Sequence, residues 1–232
     1  HKRKDQSFFG VEQLFLIDAG TSYIKTLDTS SGEKSIFPVT DRSSYIELKP
    51  EIVTGHNASL FKGSEKVSEL VALAEGIRTI SKEANFIVLD IGSRDMKLVS
   101  FYENNFERCD WNTSCGAMIG FTIELMIKYF NKELKNIPDT DKKLDITCGL
   151  LGITKFFDGI SKQETIEENL SALMNGMAHY AWHFSGKPDR LYLSGGLTQN
   201  DVFTKHMKKL IKELIILDRF TLLEGLKFRV SK

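Results

Sequence analysis

LFLIDAGTSYIKTLD (residues 14–28) and FIVLDIGSRDMKLVS (residues 86–100) are two copies of one pattern. Each runs as an apolar stretch into an aspartate, Asp18 or Asp90. Each then passes a glycine, Gly20 or Gly92, and small hydroxylated residues, Thr21 and Ser22 or Ser93. A second apolar stretch follows, carrying Lys25 or Lys97. Short apolar runs broken by turn residues predict strand, tight turn, strand. One Asp-x-Gly turn is ordinary hairpin chemistry, but two in matching strand context are an internal duplication. The glycine lets the backbone approach a ligand closely, so the turn can aim N–H groups and hydroxyls at phosphate oxygens. The aspartate at the strand end can hold Mg2+ through its waters. The two lysines are read either as phosphate contacts or as charges paired across the strands. A third segment, Leu193-Ser194-Gly195-Gly196, ends another buried-strand pattern, and its paired glycines would let a nucleoside lie against the backbone.

Working outward, SGEKSIFPV continues the first hairpin into a meander, EIVTG is a further strand, and MKLVSFYENNFERCDW repeats strand, turn, strand. Helical spacing predicts helices over 64–79, 118–130, 148–160, 165–185 and 201–214. The second strand set starts after Glu83, so the expected halves are residues 8–84 and 85–232, an α/β chain of two mixed-sheet halves around a nucleotide cleft. With 31 basic and 31 acidic residues the chain has no net charge, which gives nucleic acid binding little support. No stretch has the apolar length that spans a bilayer, and HKRKDQSFFG lacks the apolar run of a secretory signal, so a cytoplasmic location without membrane attachment is expected.

The two Asp-x-Gly loops with a returning lysine, together with Ser-Gly-Gly, resemble the phosphate and adenosine motifs of the actin, sugar kinase and heat-shock chaperone superfamily. Within it, IVTGHN, VSELVALAEGI, LDIGSRDMKLV and LSGGLTQN are similar, in order, to segments of the activators of 2-hydroxyacyl-CoA dehydratases and the ATPase subunits of benzoyl-CoA reductase. The resemblance spans about Leu14 to Asn200 and implies a duplicated ribonuclease-H-like, actin-like ATPase fold. Ser93 and Arg94 stand where that family carries glycine and glutamine, and Met118-Ile119 where it carries Gly-Thr.

Cys115 and Cys148 fall at predicted helix starts, where the dipole favours thiolate. Spacing alone favours two buried structural thiols. One chain offers too few cysteines for a four-thiolate cluster, whereas a two-fold dimer supplies four. The resemblance implies that Cys115 and Cys148 bind one [4Fe-4S] cluster between two identical subunits, while Cys109 has no counterpart and is read as structural. The expected function is an ATP-dependent activator that donates low-potential electrons from that cluster to a dehydratase- or reductase-type iron-sulfur partner. Asp18 and Asp90 would hold Mg2+ or orient the attacking water. Gly20, Thr21, Ser22, Lys25, Gly92, Ser93 and Lys97 would cradle the phosphates, and Gly195 and Gly196 the nucleoside. A small-molecule kinase of the same fold, or a nucleotide-binding regulator without turnover, are the alternatives.

Overall fold

The computed structural model describes residues 14–112, 119–146 and 149–231. Its first sheet holds β1 (Phe15–Ala19), β2 (Tyr23–Asp28), β3 (Lys34–Pro38), β4 (Pro50–Thr54) and β5 (Glu65–Lys66), in the order β3-β2-β1-β4-β5. The second holds β6 (Phe86–Ile91), β7 (Met96–Tyr102), β8 (Asn105–Asn112), β9 (Arg190–Ser194) and β10 (Glu213–Ile216), in the order β10-β9-β6-β7-β8. The connectivity is identical: an antiparallel meander of three strands, then two parallel strands added beside the first. The duplication legible in the two Asp-x-Gly segments therefore extends to whole sheets.

Both faces of the inner strands β1, β6, β7 and β9 are covered, which explains their nearly continuous apolar runs, whereas the edge strands β5 and β8 stay exposed. Side chains alternate across a strand, so residue parity decides which core each one enters. In the first sheet Leu16, Leu27 and Ile52 face a core between the two sheets, while Ile17, Ala19, Ile24 and Val53 face an outer core with Tyr45 and Phe61. In the second, Val88, Val99 and Tyr192 face the same central core, and Leu89, Ile91, Met96, Leu98, Leu191 and Leu193 face the other side. That outer side is packed by α2 (Ile119–Tyr129), α4 (Ile166–Phe184) and α5 (Asp201–Leu210), with α3 (Gly149–Ser161) against α2 and α4. Thr165 opens α4 with a capping box: its hydroxyl accepts from the Glu168 amide and its own amide donates back to the Glu168 carboxylate.

The central core is filled by α1 (Glu69–Ile80) and α6 (Thr221–Val230), which pack on each other through two glycines. A Cβ on Gly225 would stand 1.9 Å from the Ala72 carbonyl oxygen, and one on Gly76 would stand 2.1 Å from that of Thr221. The helices touch backbone to backbone, and α6 also reaches β1, β2 and β4.

Two expected helices are corrected. The one placed over 64–79 begins at Glu69, because Glu65–Lys66 pairs in parallel with Ile52 and Val53 and the backbone is still extended at Ser68, with ψ of 139°. The one placed over 201–214 ends at Leu210: Ile211 turns to an extended backbone, and Glu213–Ile216 becomes a strand on β9. No helix among the described residues is long and apolar enough to cross a membrane.

Candidate functional site

Parity also positions the charges. Asp18 follows Leu16, Lys25 precedes Leu27, Asp90 follows Val88 and Lys97 precedes Val99, so all four side chains point into the space between the sheets at one end of the central core. Asp18 pairs in register with Lys25, and Asp90 with Lys97. The parallel neighbours repeat the symmetry: Thr54 lies beside Asp18 and Ser194 beside Asp90. Each hydroxyl residue is followed by a glycine at positive φ, Gly55 at 99° and Gly195 at 95°, whose hydrogen faces the backbone of Ala19 or Ile91. A Cβ on Gly195 would meet the Ile91 carbonyl oxygen at 2.4 Å and one on Gly55 that of Ala19 at 2.5 Å, so only glycine fits either turn.

These segments converge on one cavity of about 60 Å³. The first turn contributes Asp18, Gly20, Thr21, Ser22 and Lys25, and the second Asp90, Gly92, Ser93 and Lys97. Gly195 and Gly196 close its third side. Every residue singled out in the three motifs thus lies around a single space. His56, Glu69, Arg94 and Asp95 also line it. Tyr23, Gly92, Ser93 and Gly196 are shared with an adjoining cavity of about 330 Å³ walled by Ile123, Ile127, Leu134 and Leu197. The small chamber is ionic and the larger one mainly apolar.

The lysines pair differently in the two halves. Lys25 Nζ donates to Asp18 Oδ2 at 2.7 Å, directly across the hairpin. Lys97 passes over its register partner Asp90 and reaches Asp95 Oδ1 at 2.5 Å and Glu69 Oε2, at the start of α1, at 2.6 Å. Asp95 also accepts from Trp111 Nε1 at 2.9 Å. Burial pushes the Asp90 carboxyl up, although Lys97 and Lys25 pull it down. Glu69 is pushed up to about 7, first by burial and then by Asp18 and Asp95, against the pull of Lys97. Lys97 is held above the ordinary lysine value: Glu69, Asp90 and Asp95 outweigh the cost of its burial. The lining carries four carboxylates, Asp18, Glu69, Asp90 and Asp95, against three cations, Lys25, Arg94 and Lys97.

That excess of carboxylate suits a divalent cation. Among the described residues no group of three or more His, Cys, Asp or Glu is arranged to hold a metal. Mg2+ characteristically takes one or two carboxylates and completes its shell with water and phosphate, so Asp18 and Asp90 fit it only with a phosphorylated ligand present.

The second turn is fastened to α2. Phe121 N donates to Ser93 O at 2.9 Å, and a Cβ on Gly120 would stand 2.5 Å from the Gly92 carbonyl oxygen. Across the cleft, Arg94 Nη1 lies 2.6 Å from His56 Nε2 and 2.8 Å from Nδ1, and Tyr23 donates to Glu124 at 3.1 Å.

His56, Glu69, Arg94 and Asp95 were missed as site residues. The signal for His56 was available in IVTGHN, which repeats the apolar-hydroxyl-glycine order of YLSG. Glu69 carried none, since a glutamate opening a helix is ordinary capping chemistry. Cys115 and Cys148, like Met118, lie outside the described residues. Cys109, read as structural, is exposed on β8 with a free thiol and belongs to no core.

Two mixed sheets with this cleft define an actin-like ATPase fold. The activator of 2-hydroxyisocaproyl-CoA dehydratase from Clostridium difficile, solved with bound ADPNP, matches it at TM-score 0.76 and 19% identity over 94% of this chain and 96% of that one. Component A of (R)-2-hydroxyglutaryl-CoA dehydratase from Acidaminococcus fermentans matches at 0.75 and 17%, over 94% and 99%. The ethanolamine utilization protein EutJ from Carboxydothermus hydrogenoformans matches at 0.56 and 14%, over 93% and 89%. No protein-family model matches the chain, and no curated protein matches it.

Proposed function

We propose that this chain is an ATP-binding activator of the dehydratase-activator kind, in which Mg2+ and nucleotide occupy the cleft and ATP hydrolysis drives the sheets between closed and open positions. The observation that carries this reading is the convergence of two duplicated turns and a Gly-Gly turn on one ionic chamber beside an apolar one. Triphosphate would lie in the first against Gly20, Thr21, Ser22, Gly92 and Ser93. The nucleoside would lie in the second against Gly195 and Gly196, and Lys25 and Lys97 would meet phosphate oxygens while keeping their carboxylates. Asp18 and Asp90 would hold Mg2+ through its waters or orient the attacking water.

The ionic chamber, about 60 Å³, is small for a triphosphate with Mg2+, so nucleotide entry would move the two turns apart. Ser93 and Gly120 would pass that motion to α2. The neighbouring α2 and α3 leave Phe121, Leu125, Tyr129 and Phe157 exposed, an apolar surface suited to a second copy of the chain. In such a homodimer Cys115 and Cys148 of each copy would hold one [4Fe-4S] cluster, which would supply a low-potential electron to an iron-sulfur dehydratase or reductase in the cytoplasm.

Calorimetric titration with ADP and a non-hydrolysable ATP analogue, with and without Mg2+, tests the core of the reading. Wild type is expected to bind both more tightly with Mg2+, and Asp18→Ala to lose that dependence and about 100-fold or more of hydrolysis. Wild type that binds neither nucleotide would end it. Anaerobic reconstitution tests the cluster separately, with iron and sulfide expected in wild type and lost in Cys115→Ser.

A further inference from the structure

We propose that Arg94 is the residue with which this site tells a nucleoside triphosphate from a diphosphate, its guanidinium leaving His56 to take the terminal phosphate. The inference rests on the nucleotide reading above and adds a specificity determinant to it.

The argument begins with which cations of the chamber are already committed. Lys25 is bonded to Asp18 at 2.7 Å, and Lys97 is held between Glu69 at 2.6 Å and Asp95 at 2.5 Å. Among the described residues no carboxylate stands within ion-pair distance of Arg94. It lies instead against the imidazole of His56, with Nη1 2.6 Å from Nε2 and 2.8 Å from Nδ1. Trading a solvent-exposed imidazole for a phosphate oxygen costs little. Taking a lysine from a buried carboxylate costs much more, because it leaves a desolvated charge unpaired.

Position and chemistry agree with this. Arg94 follows Ser93 on the second turn, and it reaches across the chamber to His56, which follows β4 in the first sheet. A group spanning the mouth in this way is placed to meet whatever protrudes furthest from the two turns. The guanidinium presents paired donors that match phosphate oxygens, which an ammonium does not. Lys25 and Lys97 are already paired with carboxylates of the lining, so each added phosphate raises the demand for positive charge. Mg2+ meets part of that demand for either nucleotide, and the terminal phosphate is the increment that remains. His56 then serves as a resting partner that keeps the guanidinium extended across the chamber.

The test is titration of wild type, Arg94→Gln, Arg94→Lys and His56→Ala with ADP and with a non-hydrolysable ATP analogue, all with Mg2+. Thermal unfolding of each variant controls for folding. Arg94→Gln removes the charge, and is expected to weaken the analogue about 10- to 100-fold while changing ADP less than about 3-fold. Arg94→Lys should fall between, and His56→Ala should keep the triphosphate preference, since it removes only the resting partner. Equal losses for both nucleotides in Arg94→Gln, or no loss, would overturn the assignment while leaving the nucleotide site standing. A preference that collapses equally in His56→Ala would also overturn it, by locating the effect in the cross-cleft contact. Wild type that binds neither nucleotide would remove the site itself and this inference with it.

Discussion

Adjacent glycines in one turn carry different duties here, and substitution separates them. Gly195 has φ of 95° and its missing side chain faces the Ile91 carbonyl oxygen, whereas a Cβ on Gly196 would meet nothing within 4 Å. Gly195→Ala is therefore expected to cost about 1–3 kcal/mol in chemical denaturation, and Gly196→Ala within about 0.5 kcal/mol of nothing. If a nucleoside lies against this turn, Gly196→Ala should nonetheless weaken ADP binding, because the added methyl enters space that only the ligand would occupy. A Gly196→Ala protein that binds ADP as wild type does would move the nucleoside elsewhere. The sequence announced both glycines but not the division between them, because their roles depend on what each faces across the sheet. The same holds for the lysines: spacing put Lys25 and Lys97 opposite Asp18 and Asp90, and the register agrees. That Lys97 instead bonds Glu69 and Asp95 depends on α1, which arrives from another part of the chain.

Among the elements, the strands bearing the phosphate turns were the most legible, because apolar alternation and turn residues act locally. The last thirty or so residues were the least. Leu210-Ile-Lys-Glu-Leu-Ile-Ile216 sustains helical spacing without a glycine or proline to stop it, and only its β-branched isoleucines hint that β10 begins. The α6 helix was invisible as a partner for α1, since nothing local indicates that Gly76 and Gly225 will meet. Their contact makes a sharp test of how closely these helices pack. A Cβ on Gly225 would lie 1.9 Å from the Ala72 carbonyl oxygen and 2.9 Å from Gly76 N, and neither backbone group can rotate away. Gly225→Ala and Gly76→Ala are each expected to destabilise by about 2–3 kcal/mol, well beyond any gain in helix propensity. Because both methyls push apart the same pair of helices, the double variant should cost less than the sum. Full additivity in urea denaturation would mean that the helices do not share that contact.

At the scale of the whole molecule, the central core is apolar along most of its length and ionic at one end, and that end ties the sheets together. Glu69 begins α1 in one layer and bonds Lys97 in the second sheet, so its protonation state bears on global stability as well as on the site. Burial and neighbouring carboxylates raise Glu69 from 4.5 to about 7. Between those values the native chain keeps a proton that the unfolded chain has released, so this group makes stability fall as pH rises through the window. His206 acts the other way. It is fully buried between α4 and α5, with Nε2 3.1 Å from Ser171 Oγ, and burial holds its pKa below 6.5. Below 6.5 the unfolded chain takes the extra proton, and stability is lost as pH falls. The two slopes overlap and would partly cancel in a profile of wild type alone, so the informative quantity is the difference between wild type and Glu69→Gln, in which His206 drops out. Glutamine resembles the protonated side chain, so the two proteins should be similarly stable near pH 4.5. The variant should gain on wild type by on the order of 1–3 kcal/mol by pH 7 and hold that lead above it. Urea denaturation at intervals across that range measures it. A lead that stays flat with pH would show that Glu69 titrates alike in the folded and unfolded chains, and that the ionic end of the core is open to water rather than closed between the sheets.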